Sequence, residues 1–175
     1  LEKDGKRFVK VFALDANVMN KAHWGVTKEA VRRNLETIIG KPLLGPPGQM
    51  EHGPSEPGAL REFERAHEVG VFKDFGVNGV AWGVAEWTGT ESQWMDLRAG
   101  KWKYVSPQVR VPSEKMRKTA DGDWIKGFQF EHVQFVERPA FGEDAKVLGF
   151  CEAPEMGQCT FAAALRETTK IVGLA

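Results

Sequence analysis

Lys101-Trp102-Lys103-Tyr104-Val105-Ser106-Pro107-Gln108-Val109-Arg110-Val111 is the stretch from which the rest of the chain is read. Tyr104, Val105, Val109 and Val111 favour a strand, and Pro107 removes one ladder donor, which sends that strand to a sheet edge, a bulge or a cleft wall. Ser106 sits at its middle. Taken alone, such a serine is an ordinary strand residue whose hydroxyl bonds nearby backbone. Two histidines elsewhere in the chain, His52 and His132, give it a second reading.

Working outward, Asp123 to Glu137 carries two apolar runs around Gln129 to Glu131. Phe128, Phe130, His132, Gln134 and Val136 share one parity and Val133 and Phe135 the other, so His132 is expected on a strand. Upstream, Thr90 to Ala99 has an N-cap and a short helical pattern that delivers the chain into the Ser106 strand. Glu68 to Phe75 and Gly79 to Trp87 read as a hairpin joined by Gly76 to Asn78. Leu60 to Ala66, just before it, reads as a helical turn or loop. Gly45 to Gly58 holds four prolines and four glycines, too many for regular structure. A loop of that length in a compact domain is more often functional than filler, which draws interest to His52. Nearer the start, Arg7 to Leu14 alternates as a first strand, and Thr27 caps a helix ending at Gly40. Lys146 to Phe150 reads as a last strand.

The chain has 175 residues, 24 basic against 24 acidic side chains, and four histidines. With no net charge there is no global field to attract nucleic acid or an anionic membrane. No run approaches the roughly 18 to 20 apolar residues that span a bilayer, and the charged opening lacks a signal-peptide core, so a soluble intracellular protein is expected. Nineteen glycines and six tryptophans suit short, curved strands and a mainly β fold. The expected division is one domain over residues 1–150 and a loosely attached tail or linker over 151–175. Cys151 and Cys159, in that tail, are read as reduced spectators. No histidine pair has metal-site spacing, so neither metal nor cofactor is expected.

Serine is a weak nucleophile near neutral pH and needs a neighbouring base, which works best when a third group fixes its tautomer. Ser106, His52 and His132 can fill those roles as nucleophile, general base and orienting partner. Glu131 is an acidic rival for the third place, but parity puts Glu131 and His132 on opposite sides of their strand. An imidazole in the third place stabilises the imidazolium less than a carboxylate does, which implies a slower enzyme.

The order of motifs is similar to a known family: a strand and helix, Ile39-Gly-Lys-Pro-Leu43 leading to His52, Tyr104-Val-Ser-Pro107, and Phe130-Glu-His-Val-Gln-Phe-Val-Glu-Arg-Pro-Ala140. From about Val11 to Ala145 the chain resembles the prohead (capsid-maturation) proteases of tailed bacteriophages, including the Mu-like phage proteases, with kinship to the herpesvirus assemblins. In that family the histidine after the first helix matches His52, the strand serine matches Ser106, and counting back from Pro139 puts His132 in the third place. Pro107 departs from the pattern, since many members have a small residue there.

What the resemblance implies is a closed or nearly closed barrel of six or seven strands with flanking helices. It also implies a serine endopeptidase that cleaves scaffold and major capsid proteins, and itself, within an assembling prohead in the host cytoplasm. Arg138 becomes the candidate for stabilising the oxyanion, and a homodimer or other homo-oligomer becomes an expected assembly. The rivals are a non-catalytic capsid- or scaffold-binding barrel and a small-molecule esterase, the latter without a Gly-x-Ser-x-Gly elbow.

Overall fold

In the computed structural model, residues 5–159 are described. The chain runs through β1 (Lys6–Leu14), β2 (Trp24–Val26), α1 (Lys28–Asn34), β3 (Pro42–Leu44), α2 (Pro57–His67), β4 (Glu68–Asn78) and β5 (Val80–Trp87). It continues through α3 (Glu91–Arg98), β6 (Tyr104–Arg110), β7 (Met116–Thr119), β8 (Gly122–Ile125), β9 (Gln129–Val136) and β10 (Val147–Ala153). Seven strands form one sheet in the order β10-β1-β5-β4-β3-β9-β6, and β2-β8-β7 form a second, small sheet.

The large sheet has seven strands, as expected, but it is a curled half-barrel, open rather than closed, which corrects the expectation of a closed or nearly closed barrel. The two ends of the sheet approach at one isolated bridge, from Tyr104 of β6 to Lys146 just before β10, so most of the free edge of β6 pairs with nothing in the sheet. Pro107 lies on that edge strand, as its missing donor requires. Inside the curl the core gathers Val9, Val11, Phe12, Leu43, Phe72, Val105, Phe130, Val133 and Phe135. Three tryptophans fill it further: Trp87 packs against Trp94 and Trp102, and Trp102 against Phe135.

The helices begin where side chains supply acceptors for their first N–H groups. Thr27 caps α1 by accepting from Ala30 N, and Thr90 and Gln93 form a reciprocal capping box on α3. Between Leu60 and Ala66 the chain is not a turn but part of the full helix α2, started by Pro57 in its first turn and by a Glu56 cap on Ala59 N. The small sheet was not apparent in the sequence pattern. Its strands have three or four residues, too few for alternation to show, and β7 lies in a polar stretch, Pro112 to Gly122, whose composition suits turns rather than strands.

Two further expectations change. Cys151 and Cys159 are joined by a disulfide rather than reduced, because a 3-10 turn at Met156–Gln158 brings their Cα atoms to 5.7 Å. The boundary expected between residues 150 and 151 falls inside β10, whose pairing with β1 extends to Lys6 opposite Ala153. Residues 160–175 of the expected tail, where the pattern of Phe161 to Leu165 suits the start of a helix, lie outside the described residues.

Trp94 is fully buried, and its indole N–H donates to Glu152 at 2.8 Å, tying α3 to β10. Trp94→Ala is therefore expected to cost about 3–5 kcal/mol, read as a lower urea midpoint at neutral pH.

Candidate active site

The β6–β9 ladder sets the site. Ser106 lies opposite Gln134 and Gln108 opposite His132, and residues directly across an antiparallel pair point to the same face. Val105 opposite Phe135 and Pro107 opposite Val133 take the other face, where Val105, Val133 and Phe135 join the core. Ser106, His132 and Gln134 are thus presented together on the face away from that core.

The register then jumps from Gln108–His132 to Val109–Phe130, leaving Glu131 as the extra residue of a β-bulge. The bulge turns Phe130 into the core beside Val133 and Phe135, so the uniform parity expected from Phe128 to Val136 is broken at Glu131. His132 and Glu131 still engage different partners. Glu131 accepts from Arg61 at 3.2 Å and has Arg110 at 4.0 Å.

His52 reaches this face from the long loop between β3 and α2. The Gln134 side chain clasps that loop: its carbonyl oxygen accepts from His52 N, and its amide donates to Met50 O at 3.1 Å. His52 itself has φ 62°, a left-handed conformation uncommon for a side-chain-bearing residue. So held, His52 has Nε2 3.0 Å from Ser106 Oγ and Nδ1 3.0 Å from His132 Nε2. The structure brings Ser106, His52 and His132 into one hydrogen-bonded row.

The row continues to a residue that the sequence reading passed over. His132 Nδ1 lies 2.7 Å from Glu64 Oε2, and Glu64 Oε1 accepts from Arg61. Glu64 is 4% exposed, and it shares the inward face of α2 with Leu60, one turn earlier. That i, i+4 pairing is the available signal, visible once the segment is read as a helix. Gln134 was missed too, although its shared parity with His132 already put it on this face.

Burial keeps both imidazoles neutral. His52 is pushed down to about 3, first by burial and then by His132 beside it. His132 is likewise pushed down to about 3, first by burial and then by the Arg61 guanidinium.

A cleft of about 250 Å³ opens beside the row, with Ser106, His52 and Gln108 on one side. Trp24, Met116 and Ile125 of the small sheet form an apolar wall, together with Val109, Val111 and Ala140. Arg138 does not line this cleft. It is exposed and borders an adjoining one, which shares Ala22, Glu51 and Ala140 with the first. Among the described residues no group of three or more His, Cys, Asp or Glu side chains is arranged to hold a metal ion, and no helix is long and apolar enough to cross a membrane.

At the level of sequence, no family model and no curated protein matches the chain. In fold it resembles the solved structure of the bacteriophage T4 capsid assembly protease, gp21, with a TM-score of 0.51 and 14% identity over 75% of this chain and 82% of that one. The likeness is one of architecture.

Two measurements follow from this geometry. Gln134→Ala removes the acceptor of His52 N and the donor to Met50 O, and should cost about 1–3 kcal/mol in a urea titration, with faster proteolytic nicking between residues 45 and 56. The depressed histidines also set a pH dependence. Between the unfolded value near 6.5 and the folded value near 3, the unfolded chain binds more protons, so stability is fully present above pH 6.5 and declines as the pH falls. Each ring contributes a slope of up to about 1.4 kcal/mol per pH unit, and His132→Gln should flatten that slope across pH 6.5 to 4.

Proposed function

We propose that the chain is a serine endopeptidase of phage head maturation, with Ser106 as nucleophile, His52 as general base and His132 as the group that orients His52. The observation that carries this reading is His52, with one ring nitrogen 3.0 Å from Ser106 Oγ and the other 3.0 Å from His132 Nε2. That is the nucleophile–base–orienter arrangement acyl transfer needs, at hydrogen-bonding distance throughout. The neutral state of His52 supports it as well, since a base must arrive unprotonated.

In the first step the Ser106 hydroxyl oxygen attacks the peptide carbonyl carbon while its proton passes to His52 Nε2. The tetrahedral intermediate collapses as that proton is handed to the leaving amine, giving an acyl-Ser106. Water then attacks the ester, losing a proton to His52, and Ser106 is released with its proton restored. Arg138, at the rim of the adjoining cleft, is the candidate for stabilising the oxyanion through its side chain or backbone.

The fold likeness to a capsid assembly protease supports a peptidase over an esterase and suggests scaffold and capsid proteins as substrates, in a prohead within the host cytoplasm. The self-cleavage and the homodimer or other homo-oligomer expected from the family resemblance belong to the same proposal.

A fluorophosphonate probe tests the nucleophile on the full chain, and cleavage of scaffold and capsid proteins tests the substrate class. Ser106→Ala should abolish labelling and proteolysis, and His52→Ala should lower the labelling rate about 10⁴-fold, the scale seen when a triad loses its base. His132→Ala should lower it about 100-fold. Wild-type protein that binds scaffold or coat yet is never labelled would instead identify a non-catalytic assembly module.

A further inference from the structure

Glu64 belongs to no step described so far, yet it is the most buried carboxylate among the described residues and ends the row that starts at Ser106. A carboxylate in such a place needs compensation, and Glu64 has two sources of it: Arg61 on Oε1 and His132 Nδ1 at 2.7 Å from Oε2. We propose that Glu64 is a positioning residue which, through His132, fixes the tautomers of both histidines and turns a Ser–His–His triad into a Ser–His–His–Glu relay; the proposal rests on the hydrolase reading above.

The argument follows the protons. Glu64 meets the Arg61 guanidinium through one oxygen, and a carboxylate so paired can only accept hydrogen bonds. His132 Nδ1 must therefore carry the proton, which leaves Nε2 as a lone pair facing His52 Nδ1. His52 Nδ1 must then be the N–H of its ring, and His52 Nε2 the lone pair facing Ser106 Oγ. One charge at the end of the row sets every proton in the sense a general base requires. Without it, either tautomer of His132 could form, and the one with a proton on Nε2 would drive His52 to Nε2–H, unable to accept from Ser106.

The same carboxylate answers the weakness expected of an imidazole in the third place. When His52 takes the Ser106 proton, its Nδ1–H bonds to an imidazole whose own N–H is held by an anion. The charged groups around the row are Glu64 and Arg61 on α2, Glu131 on β9, Arg110 on β6, and Glu51 in the loop, whose carboxylate is 3.8 Å from His52 Nε2. Of these, only Glu64 touches His132. Glu131, the acidic rival from the sequence, instead anchors Arg61 at 3.2 Å.

The test joins two readouts on the full chain: ¹⁵N imidazole spectra, which report the protonated nitrogen of each ring, and the rate at which a fluorophosphonate labels Ser106. Expected are Nδ1–H tautomers at both His52 and His132 in the wild type, and in Glu64→Gln a mixture at His52 with labelling slowed about 10- to 100-fold, as for partners that orient a working residue from one step behind it. A purely structural Glu64 would leave the tautomers unmoved, and unchanged tautomers or a labelling rate within about twofold of wild type would overturn the proposal. The wild-type spectrum does not depend on the variant folding: Nε2–H at His52 there overturns the relay outright. If the wild type is never labelled although both rings carry Nδ1–H, the hydrolase reading fails while the proton order set by Glu64 stands.

Discussion

Everything at the site depends on the register between β6 and β9. Because Ser106 lies opposite Gln134 and Gln108 opposite His132, a single antiparallel ladder presents the serine, the buried histidine and the loop-clasping glutamine on one face. A slip of one residue would turn Ser106 toward the core positions of Val105 and Val133, so the core itself enforces the register. The bulge at Glu131 separates two demands on β9: below it Phe130 fills the core, and above it the polar residues face outward.

That outward face is polar and yet shut off from water, which makes it demanding. Ser106, His132 and Gln134 are all 2% exposed or less, so each polar atom needs a partner. Gln134 meets its need with the loop backbone, His132 with His52 and Glu64, and Ser106 with His52. The same bonds that satisfy the strand also fix the loop, which would otherwise have little reason to hold His52 at a positive φ. Loop and helix α2 are therefore attached to β9 by polar groups, where a barrel core would have used apolar ones.

Residues with a local cause were legible in the sequence. The edge placement of the Ser106 strand followed from Pro107, the helix starts from Thr27 and Thr90, and the strand position of His132 from alternation. Features that depend on how distant segments meet were not. Glu64 lies 68 positions from His132, and its i, i+4 pairing with Leu60 marks an inward helix face without saying which residue it meets. The bulge at Glu131 is a matter of pairing, invisible in one strand read alone, and the β2–β8 contact is parallel and only three residues long. Closure of the sheet depended on whether β10 and β6 pair along their length, and the one bridge between the two ends joins Tyr104 to Lys146, just before β10.

The small sheet gives the cleft its other half, and this division has a consequence for how the site is built. Polar groups that must stay within hydrogen-bond reach of one another come from β6, β9, α2 and the His52 loop, locked by the ladder and by buried bonds. The apolar wall opposite them comes largely from Trp24, Met116 and Ile125, on β2, β7 and β8, whose ladder is separate from that of the large sheet. Apolar contact is non-directional, so that wall can change its shape with little penalty in geometry, whereas a row of hydrogen bonds near 3 Å cannot. Rigidity is thus concentrated in the row of hydrogen bonds, and the apolar wall is left to short strands of a separate ladder.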